Sequence, residues 1–206
     1  MSRFRGVLLI GVTGSGKTPL GNTCVQEGLW GRRCCHFDFG ANLRRVAATG
    51  GGNGSLLTDK DISIVANSLR TGALLENDNF HIAQGILMGF AEEKKLGNDD
   101  LLLLNGMPRH IGQAEDVDVL VDVGTVVHLN CTPEVVYERI RMNSGGDRSE
   151  RLDDSFEEIE KKVKLFEERT FPLLNHYQGK CVKMREYNVL AGTTAENIHD
   201  WLSSSG

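Results

Sequence analysis

The chain has 206 residues, 40% of them hydrophobic and 25% charged, with a formal net charge of −5. That length favours one domain around one good core, and the mild acidity gives no global support to a role in wrapping nucleic acid. No apolar run approaches the roughly 20 residues that a membrane-spanning helix needs.

Short apolar runs alternate with helical periods along the chain, which predicts an α/β fold with a parallel sheet. Arg3 and Arg5 lead straight into a first strand at residues 7–10, so this stretch does not read as a signal peptide and a cytoplasmic protein is expected. A glycine-rich loop follows, then a helix over about 17–27 and a second strand at 34–37. The run Thr49-Gly50-Gly51-Gly52-Asn53-Gly54-Ser55 is a flexible connection, and a helix is expected after it over about 58–69. Residues 101–104 form an uninterrupted leucine run, as expected for a third strand buried on both faces. A fourth strand is placed at 125–130. Thr132-Pro133-Glu134 then supplies an N-cap, a proline at the first helical position and an acid in the first turn.

After the polar loop Asn143-Ser144-Gly145-Gly146-Asp147, apolar residues recur at helical spacing. Phe156, Ile159, Val163, Phe166 and Thr170 predict one long amphipathic helix over about 153–175. A more polar fifth strand is expected at 181–187, nearer an edge. Thr193 or Thr194 opens a short last helix ending near Trp201, with a frayed tail at 203–206. The five cysteines (Cys24, Cys34, Cys35, Cys131 and Cys181) form no CxxC pair and no metal spacing with histidine. They read as free thiols in a reducing compartment, with Cys34 and Cys35 on opposite faces of their strand.

The firmest functional signal is Gly11-Val12-Thr13-Gly14-Ser15-Gly16-Lys17-Thr18, directly after the first strand. Glycines 11, 14 and 16 let backbone N–H groups wrap an anion closely, and the next helix adds its dipole. Lys17 reaches the β- and γ-phosphates of a nucleoside triphosphate, and the Thr18 hydroxyl is a candidate ligand for Mg²⁺. Pro19 is tolerated in the first helical turn, at the cost of one N–H near the phosphates.

A second set of motifs follows in order. Asn105-Gly106-Met107-Pro108-Arg109, with Gln113 four residues on, resembles the Gly-Phe-Pro-Arg segment of adenylate kinases and other nucleoside monophosphate kinases. Asp38-Phe39-Gly40-Ala41-Asn42-Leu43-Arg44 is similar to their acceptor segment, which ends in Leu-Arg. Arg148-Ser149-Glu150-Arg151-Leu152-Asp153-Asp154 resembles the Arg-x-Asp-Asp that closes their short lid. The resemblance spans nearly the whole chain. It implies a three-layer P-loop NTPase sandwich with a five-stranded parallel sheet. The core would comprise residues 1–37, 80–142 and 152–206, with a helical monophosphate-binding insertion at about 38–79 and a short lid at about 143–151.

Carried over by position, the resemblance implies a donor site built from Gly14, Ser15, Gly16, Lys17, Thr18, Pro19, Arg139 and Gly192. Arg139 would lie against the donor adenine, and Gly192 would offer it backbone. The acceptor would meet Phe39, Gly40, Arg44, the backbone at Ala73, Leu74 and Leu75, then Gly106, Met107, Pro108, Arg109 and Gln113. Arg44 and Arg109 would clamp its phosphate, and Gln113 would read its base. Lys17, Arg109, Arg151 and Lys162 would act on the phosphoryl group in transfer. His36 reads as a packed strand-end histidine, because phosphoryl transfer depends on positioning and charge stabilisation and needs no dedicated base.

The chain also departs from that pattern. Asn105 stands where an aspartate usually holds waters around Mg²⁺, Ala41 where an acid usually follows the acceptor glycine, and Asn143 where a lid arginine is usual. Phe39 replaces a residue that is often threonine in AMP-specific members. Asp38 adds a carboxylate at the end of the second strand, and Arg148 adds a positive charge to the lid. The expected activity is ATP + AMP ⇌ 2 ADP with Mg²⁺, by a monomer with no nucleic-acid or membrane partner. Two alternatives stay open: a kinase for a pyrimidine monophosphate or a non-nucleotide acceptor, and a nucleotide-binding protein with weakened catalysis.

Overall fold

The computed structural model describes residues 3–50, 57–144 and 156–204. Five strands, β1 (Phe4–Ile10), β2 (Cys34–Asp38), β3 (Leu101–Asn105), β4 (Val121–Asn130) and β5 (Lys183–Asn188), form one parallel sheet in the order β2-β3-β1-β4-β5. The helices are α1 (Lys17–Glu27), α2 (Phe39–Thr49), α3 (Asp59–Thr71), α4 (Phe80–Glu93), α5 (Ile111–Leu120), α6 (Pro133–Met142), α7 (Phe156–Leu165), α8 (Leu173–Gly179) and α9 (Ala195–Ser203).

Side chains alternate across a strand, and here both faces are covered. Leu8, Ile10, Phe37, Leu102, Leu104 and Val126 enter a core closed by α2, α3, α4, α5 and α8. Val7, Leu9, Leu101, Leu103, Val127 and Leu129 point the other way, onto Leu20 and Cys24 of α1 and Ile198 and Leu202 of α9. The leucine run of β3 thus divides residue by residue between two cores. Cys35 and Cys34 divide in the same way. The result is the three-layer α/β sandwich that the apolar pattern and the resemblance imply. The sheet order reverses beside β1, which opens a crevice at the C-terminal ends of β1, β2 and β3.

Several boundaries differ from the sequence expectation. β4 begins at Val121, four residues earlier, because Gly6 pairs with Val123 and Val7 with Thr125, leaving Gly124 as a bulge that interrupts the apolar pattern. β5 begins at Lys183 because Cys181 has φ 58, a left-handed conformation that no strand accepts. The helix expected over about 153–175 is not continuous. After α7 the chain makes a π turn (Phe166–Thr170), closed by a hydrogen bond from Phe171 N to Phe166 O at 2.8 Å, and α8 starts after Pro172. Pro172 has no N–H to extend the ladder, so regular helix stops there. The apolar pattern does not delimit α2, α4 or α5. α4 buries Phe80, Ile82, Ala83, Ile86, Leu87, Phe90 and Ala91, too wide an apolar arc for a clear polar period. Among the described residues, no helix is long and apolar enough to cross a membrane.

Candidate active site

The crevice is a cleft of about 580 Å³. At one end it is lined by Gly14, Gly16, Lys17, Thr18 and Pro19, and at the other by Phe39, Gly40, Arg44, Gly106, Pro108, Arg109 and Gln113. The backbone at Ala73, Leu74 and Leu75 and the side of α7 carrying Lys162 complete its walls.

The glycine-rich loop has the geometry of an anion cradle. Gly16 has φ 102, and a Cβ on Gly11 would sit 2.5 Å from Ser15 Oγ and 2.9 Å from Leu129 O, so both positions require glycine. Gly16 is the N-cap of α1 and provides no side-chain cap, whereas Asp38, Thr58, His110, Thr132 and Thr194 cap α2, α3, α5, α6 and α9 through their side chains. The first N–H groups of α1 are therefore left to an incoming anion. Lys17 Nζ donates to the carbonyls of Gly11 and Val12 at 2.5 and 2.9 Å, folded over the loop it is expected to serve. Ser15 is fully buried, and its Oγ has no hydrogen-bond partner among the described residues.

On the acceptor side the two arginines differ in kind. Arg44 projects from α2 and is exposed. Arg109 is half-buried, and burial alone pulls its pKa down, with no acidic partner among the described residues. A desolvated guanidinium facing a cleft suits a planar, bidentate anion such as a phosphate. The backbone that carries Arg109 is fixed at both ends. Its N–H donates to Gln113 Oε1 at 2.7 Å, and its carbonyl accepts from Thr170 Oγ1 at 2.9 Å. The bond from an N–H donor identifies the Gln113 atom as oxygen, so the amide nitrogen is the end of Gln113 left for a ligand.

His110 ties the acceptor loop to α5, a role with no signal in the sequence. Its Nδ1 accepts from Gln113 N at 3.2 Å as the N-cap of α5, and its Nε2 donates to Leu75 O at 3.3 Å. Ser68 Oγ donates to Ala73 O at 2.7 Å, so the carbonyls of Ala73 and Leu75 are both engaged within the protein. Thr170, which the helical spacing already places on the inner face, sits at the end of the π turn, and its bond to the Arg109 carbonyl has no signal in that spacing.

Where the loop meets β2 and β3, five polar side chains form one network. Thr18 Oγ1 donates to Asp38 Oδ2 at 2.7 Å, and Asn105 Nδ2 lies 3.0 Å from Thr18 Oγ1 and 3.1 Å from Asp38 Oδ2. His36 Nε2 is 3.3 Å from the same Asn105 nitrogen, and its Nδ1 is 3.0 Å from Asn22 Oδ1. Burial pulls the His36 pKa down against the attraction of Asp38, which leaves a neutral ring donating to Asn22 and accepting from Asn105. The ring packs on Gly21, where a Cβ would fall 2.4 Å from it.

Arg139 is almost wholly buried. Its Nε donates to Gly14 O at 3.0 Å and its Nη1 to Leu190, Ala191 and Thr193 carbonyls at 2.9, 3.2 and 2.7 Å. It clamps the phosphate loop to the turn after β5 while lining the cleft, and this clamping function was not legible in the sequence. Gly192 lies in that turn without lining the cleft, and Met107 points into the core instead. Asn143, with φ 48, is the C-cap of α6, a position that suits asparagine and explains its presence there. Arg148 and Arg151, most of the expected lid and the glycines at 51–54 lie outside the described residues.

No family model matches the chain. Among curated proteins, it is 37% identical to an adenylate kinase of Rhodopirellula baltica over 81 residues, 37% of this chain and 41% of that protein. Longer matches cover most of both chains. An adenylate kinase of Synechococcus sp. is 27% identical over 180 residues, 84% of this chain and 85% of its own. A probable UMP-CMP kinase 1 of Arabidopsis thaliana is 28% identical over 199 residues, 94% of this chain and 84% of its own.

Proposed function

We propose that this chain, a member of the nucleoside monophosphate kinase family, transfers the γ-phosphoryl group of ATP to AMP and works as a monomer with magnesium. The observation that carries the reading is the cleft itself. It joins a phosphate loop whose helix start has no side-chain cap to Arg109, a desolvated cation with no acidic partner among the described residues. Two anionic groups facing each other are what such a cleft accommodates.

Phosphoryl transfer asks the protein for alignment and for positive charge where negative charge is spread in the transition state. Lys17 exchanges its carbonyl partners for phosphate oxygens at the donor end. Arg44 and Arg109 hold the monophosphate at the other end, and the Gln113–Arg109 and Thr170–Arg109 bonds keep the second of these in line. Lys162 on α7 adds charge from the side wall, and the resemblance assigns Arg151 the same duty from the lid. The Gln113 amide nitrogen is the polar contact for the acceptor base. Arg139 steadies the loop and presents its guanidinium to the donor base. Magnesium, when bound, neutralises charge on the β- and γ-phosphate oxygens, and Thr18 is an oxygen donor lining the cleft beside Lys17.

Phe39, buried at the start of α2 where threonine is frequent, and the UMP-CMP kinase relatives favour a second reading with a pyrimidine acceptor. A coupled assay with ATP, Mg²⁺ and each of AMP, CMP, UMP and GMP tests both. The expected result is the highest kcat/KM with AMP. Preference for CMP or UMP would replace the acceptor, and no turnover with any of the four would leave a nucleotide-binding protein without this activity.

A further inference from the structure

The two sequence departures that concern the metal, a carboxylate missing at 105 and one gained at 38, meet in space. Asp38 and Asn105 are direct partners in the β2–β3 ladder, at the strand ends beside the phosphate loop. We propose that they are one exchange: Asp38 supplies the carboxylate that sets the magnesium of the donor triphosphate, acting through Thr18, and Asn105 is the residue that allows it to. This inference rests on the donor-site reading above.

A count of hydrogen-bonding capacity supports it. A threonine hydroxyl has one proton and two lone pairs. The Thr18 proton is donated to Asp38 Oδ2, and one lone pair accepts from Asn105 Nδ2. One lone pair remains for the cleft, on an oxygen beside the lysine of the phosphate loop. Asp38 is held from both ends: Oδ1 accepts from Ala41 N at 2.9 Å, and Oδ2 accepts from Thr18 and Asn105. All of these donors are neutral, and no lysine or arginine pairs with Asp38 among the described residues. A hard divalent cation with oxygen ligands suits such a set.

Asn105 explains why the carboxylate is here and not one strand over. Its nitrogen carries two protons and faces three acceptors, so one proton is shared between Thr18 Oγ1 and Asp38 Oδ2, at 3.0 and 3.1 Å, and the other faces His36 Nε2 at 3.3 Å. An aspartate at 105 would place an acceptor against the Asp38 oxygen at about the same 3.1 Å separation, where asparagine places a donor. One site, one carboxylate: either strand can carry it. Asp38 is thus a positioning residue for the metal, and Thr18 the group that touches it.

The test measures ATP affinity by calorimetry with and without Mg²⁺ for the wild type, Asp38→Asn, Asn105→Asp and the exchanged double variant. The Asp38→Asn change preserves the side-chain shape, and asparagine remains a good N-cap for α2, so folding is retained. The expected result is a gain in metal-free ATP affinity for D38N, since a negative charge near the phosphates is removed, together with about a tenfold smaller enhancement by Mg²⁺. The double variant D38N/N105D recovers most of the enhancement, and N105D alone does not exceed the wild type. The bound Mn²⁺ spectrum of the ATP complex follows the same order. An enhancement unchanged in D38N, or one not recovered in the double variant, overturns the proposal while leaving ATP binding intact. No ATP binding by the wild type with or without metal overturns the donor-site reading, and the proposal falls with it.

Discussion

The hydroxyl of Thr170 donates to the backbone carbonyl of Arg109 at 2.9 Å, joining positions 61 residues apart. Thr170 ends a π turn, and π turns in otherwise regular helices often mark functional positions. Thr170→Val keeps the shape and removes the donor. It is expected to cost about 1 kcal/mol of stability, and to lower kcat more than the KM for ATP, because it releases the segment that aims Arg109. Denaturant titration and steady-state kinetics with the preferred monophosphate read both effects.

Removing the guanidinium itself has a larger and more selective result. Arg109→Ala is expected to lower kcat/KM for the monophosphate by about 10²–10³-fold, as for loss of one preorganised donor to a charged transition state. Metal-free ATP affinity stays near the wild-type value, because among the described residues Arg109 is bonded to Gln113 and Thr170 and not to the phosphate loop. A mild effect on kcat/KM would take Arg109 out of the acceptor site.

Arg139→Lys looks conservative and is not. One ammonium cannot reach the carbonyls of Gly14, Leu190, Ala191 and Thr193 that the planar fork holds together. Buried carbonyls left without donors cost about 2–4 kcal/mol in total, which would show in chemical denaturation. ATP affinity falls as well, because the loop loses its brace.

The start of α3 carries a pH-dependent contribution. Asp61 accepts from Thr58 N and Thr58 Oγ1 and pairs with His81, and the Thr58 backbone bond, then His81, then the Thr58 hydroxyl hold its pKa at about 2, below the usual 3.8. The charged form is favoured by folding, so this contribution is complete above about pH 3.8 and is lost as the pH falls towards 2. Asp61→Asn is expected to flatten the fall in Tm between about pH 4 and 2, measured by circular dichroism.

Thiol reactivity separates the five cysteines. Burial pushes the Cys24 and Cys34 thiols up to about 12 and Cys131 to about 11, and raises Cys35. Their thiolate fractions at neutral pH are negligible, whereas Cys181 is exposed. Brief alkylation of the native protein near neutral pH should label Cys181 first, as peptide mass spectrometry will show.

The sheet was legible because its strands are short apolar runs between turn residues, and the leucines of β3 already imply cover on both faces. Bounds moved where one residue broke the pattern: Gly124 as a bulge in β4, Cys181 in a left-handed conformation before β5, Pro172 at the end of the π turn. The glycine-rich loop could be read because its backbone geometry demands particular residue types at fixed spacing. His110, Thr170 and the clamping bonds of Arg139 could not. Each acts through a hydrogen bond to backbone far away in sequence, and a carbonyl is the same acceptor whatever its side chain. The pairing of Asp38 with Asn105 needed the strand register, which sequence spacing does not contain.

The glycine cap of α1 has a consequence for how the protein moves. A helix whose first turn lacks a side-chain partner opens locally more readily than one that has it, and an anion seated on those amides closes it. The opening turn of α1 is therefore completed by the nucleotide. Amide hydrogen exchange at Lys17, Thr18 and Leu20 should slow when ATP is added, while the first turns of α3 and α9, already closed by Thr58 and Thr194, keep their rates. In this protein the donor substrate takes the place of a capping residue, so order spreads into the fold from the point at which the substrate is held.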